Sequence, residues 1–225
     1  MIEVKPFARI IYPTDKEDGI NILKKCEYAA RNCYNSQAQM TELSYLKILP
    51  ALISKGHTSP LEHSVMIAEI ITDRAVMCEL TRHRHSSFSI RSQRYVDESK
   101  TGNISFVMPI FDKYDEEKAK VLLSLWRDDC VESERRYKRM REAGAATEDA
   151  RKSLNNSVAT QIIMSGNLRQ WREVFKLRTT SNVYPECRFV MRQLLEESKV
   201  VFPGIFDDIC PDIKEAEEDG SDKES

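Results

Sequence analysis

Between Arg82 and Tyr95 the chain reads RHRHSSFSIRSQRY, with four arginines, two histidines and four serines in one short run. Guanidinium groups bind phosphate and carboxylate oxygens through paired, charge-assisted hydrogen bonds. Small hydroxyl side chains complete such a cradle and let a ligand come close. The chemistry of the run is that of an anion site. A solvated basic loop is the competing reading. Against it stand the serines Ser86, Ser87, Ser89 and Ser92, and the apolar strand and helix that come just before and give the run a mount. His83 and His85 alternate as metal ligands can, but no carboxylate or cysteine lies at a matching local spacing, so no metal site is expected.

Two other stretches carry polar groups in suggestive order. In GHTSPLEHS, Gly56 to Ser64, Pro60 interrupts any helix, so His57, Glu62 and His63 do not assemble the helical His/Glu geometry of a metallohydrolase. A turn fits, either structural or with His57 and Ser59 beside a ligand. In SGNLRQWREVFKLRTTS, Ser165 to Ser181, a helix opening near Asn167 turns Trp171, Val174, Phe175 and Leu177 inward, puts Arg172 and Lys176 on the wet face and ends at Arg178. For Asn167, Arg169 and Arg178 the residues themselves leave structural and functional roles open.

These segments need elements to hold them. Residues 2–12 suit a strand, and the Pro-Thr-Asp that follows is a turn. A helix runs from Ile20 through Leu23, Cys26, Ala30 and Cys33, and a second through Leu43, Leu46, Leu49 and Ile53, kinked or divided by Pro50 and stopped by Gly56. Ser64–Ile71 reads as a strand. A helix capped by Thr72 or Asp73 follows it, with Val76, Met77 and Leu80 inward, and delivers the chain into the arginine run. ISFVMPIF is a further strand, and residues 115–142 form the longest helix, with a stripe of Ala119, Leu122, Trp126, Cys130, Tyr137 and Met140. A short helix over 145–154, a strand in SVATQIIMS and helices over 168–177 and 185–200 complete the pattern. The expected fold is a single α+β domain over 1–212, with a mainly antiparallel or mixed sheet flanked by helices; the polar tail 213–225 is expected to be disordered.

Composition excludes several classes. Thirty-four Lys and Arg against thirty-six Asp and Glu leave a formal charge of −2, which argues against a general nucleic-acid binder. No apolar run approaches the roughly 20 residues of a membrane span, and the N-terminus MIEVKPFARIIY lacks the pattern of a secretory signal, so a cytoplasmic protein is expected. The six cysteines form no C-x-x-C pair and are expected to be reduced, mainly buried thiols.

Arg82-His83-Arg84, seven residues, Ser92, then Arg94-Tyr95 resembles the signature of the flavin-dependent thymidylate synthases. The family's His-x-Thr/Ser-Pro-x-Glu-His segment stands upstream as HTSPLEH, and its Asn-x-Arg helix ending in Leu-Arg stands downstream as NLRQWREVFKLR. The resemblance implies methylation of dUMP to dTMP, with methylenetetrahydrofolate as carbon donor, FAD as hydride carrier and NADPH as reductant. It implies FAD contacts from Ser59, Arg82, His83, Arg84, Ile90, Asn167, Leu168, Arg169 and Glu173. For dUMP it implies Glu79, Leu80, Thr81, Arg82, Ile90, Arg91, Ser92, Gln93, Arg94, Arg151 and Arg178. Arg178 would be catalytic, facing the uracil ring and favouring its ionised form. His57 and Ser92 would support it, and no cysteine or serine nucleophile is needed, so Cys78 and Cys187 are expected to be structural thiols. Members are homotetramers.

Three positions depart from the family pattern. Ile90 stands where Glu or Gln is frequent, Arg91 where an acidic or apolar residue is usual, and Glu173 where Asn or His is common. Ile90 then offers only its backbone, and a carboxylate at Glu173 requires a cationic partner or alters the flavin. The alternative that these changes suggest is a flavin- or nucleotide-binding regulatory homologue without turnover.

Overall fold

The opening strand is broken at Lys5-Pro6, because a proline has no N–H to give a ladder. In the computed structural model, which describes residues 1–211, the two halves enter different sheets; the expected tail over 213–225 lies outside the described residues. β1 (Ile2–Val4) pairs in parallel with β5 (Ser105–Val107). β2 (Phe7–Tyr12) joins β3 (Met66–Asp73), β6 (Ala159–Gly166) and β4 (Ser87–Ile90) in an antiparallel sheet of order β2-β3-β6-β4.

The period of two along β3 and β6 sets the two faces of this sheet. Met66, Ala68, Ile70, Ile162 and Met164 are fully buried on one of them. Against that face pack α1 (Lys16–Asn32), α2 (Tyr45–Ser54), α6 (Leu168–Arg178) and α7 (Pro185–Val201). α7 also shields β2: Gln193 and Glu197 accept the N–H groups of Ala8 and Ile10 at 2.9 Å each, which closes part of an edge that would otherwise be free to pair. The other face carries Phe7, Ile67, Ile71 and Ile163 only partly covered.

Short polar caps place the helices. Asp15, Asp73 and Asp115 each accept a backbone N–H of the first turn, at 2.9, 2.7 and 2.8 Å, so α1 begins four residues before the first apolar position of its stripe. Asp73 opens α3 (Arg74–Leu80) and Asp115 opens α4 (Glu116–Glu142). Pro50 lies inside α2 without dividing it. α4 packs Cys130 and Tyr137 against Ile104, Phe106 and Val158 in a second cluster, closed by α5 (Thr147–Ala150) and the 3-10 turn after it. Among the described residues no helix is long and apolar enough to cross a membrane.

Several expectations are corrected. The arginine run is not all loop, since Ser87–Ile90 form the edge strand β4. In α6 Arg172 is only 3% exposed, whereas Leu177 is 60% exposed, the reverse of the expected faces. Cys26, Cys130 and Cys187 are buried, but Cys33, Cys78 and Cys210 are exposed.

One close approach has a measurable consequence. A Cβ on Gly19 would lie 2.2 Å from the carbonyl oxygen of Val201, and a backbone atom cannot step aside as a flexible side chain can. Gly19→Ala is therefore expected to destabilise the fold by about 1–3 kcal/mol or more, as overpacking does. Urea unfolding at fixed protein concentration checks it; an unchanged midpoint would contradict the α1–α7 contact.

Candidate active site

α3 ends at Leu80, and the chain then turns through Thr81–Ser86 into β4. This brings the arginine run between the two ends of α6. At the far end of α6, Arg178 closes on the run. Its Nε–H donates to His83 Nε2 at 3.0 Å, Nη2 donates to the Glu79 carbonyl at 2.9 Å, and Nη1 forms an ion pair with the Glu79 carboxylate. Arg178 thus meets two residues more than ninety positions earlier in the chain. Burial, reinforced by the Arg178 guanidinium, holds the His83 proton affinity below its ordinary value, with Glu79 opposing. Because Arg178 always donates, His83 Nε2 must be unprotonated here. Cys187, on α7 nearby, is pushed up to about 12, above all by burial, and does not ionise at neutral pH.

At the near end of α6, Asn167 caps the helix by accepting the Gln170 N–H at 2.8 Å, and Ser64 Oγ accepts the Leu168 N–H at 2.9 Å. Arg169 pairs with Glu62 from the HTSPLEH turn. A cleft of about 410 Å³ lies here, lined by Glu62, His85, Asn167, Arg169, Gln170 and Glu173. Glu173 has a cationic neighbour, Lys176, at 3.7 Å. Ser86 Oγ is buried without a hydrogen-bond partner, and lies 3.4 Å from where a Cβ on Gly166 would sit.

A third group gathers where β4 leaves the sheet. The Arg74 Nη2–H donates to the Arg91 carbonyl at 3.0 Å, while its Nε is buried and unpartnered. Burial lowers the proton affinity of Arg74; Glu98 opposes this, and the positive charges of Arg151 and Arg91 add to it. Three guanidinium groups therefore share one small region. Arg91 also reaches Glu98 at 3.4 Å, and Arg94 is tied to Glu148 at 2.6 Å. Ser92 Oγ accepts the Arg94 N–H at 3.2 Å, and Gln93 Nε2 is buried without a partner.

The departures find physical explanations. Phe88 and Ile90 pack on the main core, so the Ile90 side chain points away from solvent and its backbone is engaged in the ladder opposite Ile162. An apolar residue suits that inward position. His57, Ser59, Arg82 and Arg84 are exposed, and among the described residues their side chains form no hydrogen bond or ion pair with any other expected site residue. Thr81 and Leu80 frame the turn, Leu80 fully buried.

Sequence reasoning missed Arg74, His85, Glu62 and Gln170 as site residues. Arg74 was legible only as the first residue of a helix. Its bond to the Arg91 carbonyl depends on the pairing of β4 with β6, and the sequence does not mark β4 as a strand.

A family model described as thymidylate synthase complementing protein matches residues 20–204. The chain is 33% identical over 219 residues to the probable flavin-dependent thymidylate synthase of Mycobacterium phage D29, covering 93% of this chain and 92% of the relative. It is 35% identical over 179 residues to the flavin-dependent thymidylate synthase of Pyrococcus furiosus, covering 78% and 69%. Among solved structures it resembles a UMP/dUMP methylase, PolB, from Streptomyces cacaoi bound with 5-Br dUMP, with a TM-score of 0.78 over 92% of this chain and 95% of that one. At 19% identity that likeness shows the shared fold.

Proposed function

Because this chain belongs to the thymidylate synthase complementing protein family, we propose that it is a flavin-dependent thymidylate synthase converting dUMP to dTMP. The reaction replaces the hydrogen at C5 of dUMP with a methyl group. The carbon comes from methylenetetrahydrofolate, the C5 proton leaves, and NADPH is the ultimate hydride source; bound FAD supplies the hydride transfer between them.

The observation that carries this reading is Arg178, held by Glu79 and His83 where two of the family's motif segments meet. Of the five N–H groups of a guanidinium, three are engaged there. The other two are left to face a pyrimidine oxygen or nitrogen. A permanently charged donor set stabilises negative charge on the ring without taking a proton itself. Arg74, Arg91 and Arg151 suit the phosphate of dUMP, which carries about −1.5 to −2 charge at neutral pH. The donor set at the start of α6 fits part of FAD. Ser86 Oγ is a buried hydroxyl without a partner, and Asn167, Arg169, Gln170 and His85 add polar groups around one cleft. Arg82, Arg84 and Ser59 are exposed and free to meet a ligand.

The active unit is a homotetramer in the cytoplasm. A sheet face bearing Phe7, Ile67, Ile71 and Ile163 only partly covered supports association. So do His57, Ser59 and Arg84, whose partners another subunit would bring.

The purified protein is expected to be yellow, to bleach with NADPH, and to release the C5 proton of dUMP when folate and NADPH are added. Colourless protein that cannot be reconstituted with FAD, or dUMP binding without turnover, would sink the assignment. Arg74→Ala is expected to raise the KM for dUMP by about 10- to 100-fold, the equivalent of one charge-assisted hydrogen bond, with kcat little changed. A KM within about twofold of wild type would remove Arg74 from the phosphate site.

A further inference from the structure

His83 lies between two exposed arginines in the run, yet is itself only 8% exposed, with its ring turned onto Arg178. That orientation gives Nε2 to Arg178 rather than to the open cleft. The two Glu79 contacts hold the nitrogens at the far end of the guanidinium, while the ring fixes Nε, nearest the aliphatic stem. Contacts at both ends define the plane of the fork, where contacts at one end alone would let it pivot. We propose that His83 is a positioning residue for Arg178, its neutral imidazole accepting at Nε2 and setting the plane in which the guanidinium meets the pyrimidine. The inference rests on the reading of Arg178 as the pyrimidine-facing residue and assigns His83 a task besides any flavin contact.

Protonation of the ring would undo this arrangement. An imidazolium has no acceptor, so two N–H groups and two positive charges would face each other across the same contact. The charged groups facing the ring are Arg178 from α6 and Glu79 from α3; the Cys187 thiol, on α7 near both of them, stays neutral. Burial and Arg178 favour the neutral ring, and Glu79 favours the charged one. Catalysis should therefore decline on the acid side, at a pH below the ordinary histidine value of about 6.5.

Two measurements on the full-length, FAD-loaded protein test this. The first is NMR of carbon- and nitrogen-labelled histidine, which needs no turnover and has only four histidines to resolve. His83 should carry its proton on Nδ1, titrate below about 6.5, and titrate at higher pH in Arg178→Ala, where the neighbouring positive charge is gone. The second is the pH profile of dTMP formation. His83→Gln, an acceptor that does not titrate, should keep kcat within about tenfold of wild type near pH 8 and lose the acid limb. His83→Ala should lower kcat by about 10- to 100-fold at every pH, the scale of a mispositioned group, with FAD absorbance retained.

An acid limb unchanged in His83→Gln would overturn the inference. So would a His83 titration indifferent to Arg178→Ala, or a kcat in His83→Ala unchanged from wild type with flavin bound. If wild-type protein bound FAD but never made dTMP, the proposed function would fall, while the NMR titration would still decide whether His83 holds Arg178.

Discussion

Arg178→Ala is expected to lower kcat for dTMP formation by about 10²- to 10³-fold, the effect of removing one preorganised charged donor from a developing negative charge, while the protein stays yellow. The two halves of that result come from different parts of α6. The groups proposed to hold the flavin lie at its first turn, around Asn167 and Arg169, whereas Arg178 is its last residue, so the variant should leave the cleft intact. The fold should also survive. Arg178 is partly buried, but Glu79, its partner carboxylate, has a side chain 44% exposed and can turn to water once the guanidinium is gone. Arg178→Lys should fall between wild type and alanine, since it keeps the charge and loses the fork that reaches Glu79 and His83 together. dTMP formation and the flavin spectrum, measured on the same preparation, decide the matter. Turnover within tenfold of wild type would strip Arg178 of its catalytic assignment.

Arg172→Ala is expected to unfold the protein more readily by about 2–3 kcal/mol, at or just below the bottom of the range of about 3–5 kcal/mol for breaking a buried ion pair. Arg172 is 3% exposed, and its two end nitrogens meet both Asp208 oxygens at 2.7 and 2.6 Å, while Nη1 also donates to the Ile205 carbonyl. The side chain ties α6 to the C-terminal turn, beside Phe175 and Phe206, whose rings meet edge to face at 5.3 Å. Alanine leaves a void there and strands a buried carbonyl. The cost is held down because the Asp208 side chain is 54% exposed and can be resolvated.

The pH dependence follows with a definite sign. Hydrogen bonds from Arg172 hold the Asp208 carboxyl below its ordinary value, so this pair stabilises the fold above the unfolded carboxylate pKa, near pH 4, and loses that contribution as pH falls through the lower folded value. The stability gap between wild type and variant should therefore narrow in acid. Urea titrations of both proteins at pH 7 and pH 3, at equal concentration, test it; a gap below about 0.5 kcal/mol at pH 7 would show the pair to be incidental.

The elements that the sequence made legible were those with their own local signal. The stripe from Ala119 to Met140 and the cap at Asp115 define α4 from a few residues on one helix. Asp73 does the same for α3 and Asn167 for α6. The arginine run around Arg82 was legible as an anion site from residue type and spacing, while the segments around His57 and Asn167 gained a functional meaning only through the family resemblance. β4 was not: four residues, SFSI, between arginines carry too little periodicity to mark a strand, and only pairing with β6 makes one. The faces of α6 were misjudged for a related reason. Arg172 goes inward because Asp208, thirty-six residues on, supplies a partner there, and Leu177 is left outward because the 3.6-residue period turns it away from Trp171 and Phe175.

By itself, then, the sequence determined the α+β class and the position of the long helices, since helical period and capping act over a few residues, and its motifs carried the family resemblance. Only the tertiary structure decided which arginines work together. Arg74 bonds the Arg91 carbonyl and feels the charge of Arg151, and Arg178 joins His83 and Glu79, across up to 99 residues of chain. Charge and hydrogen bonding act over a few ångströms of space, and distance along the chain does not report them.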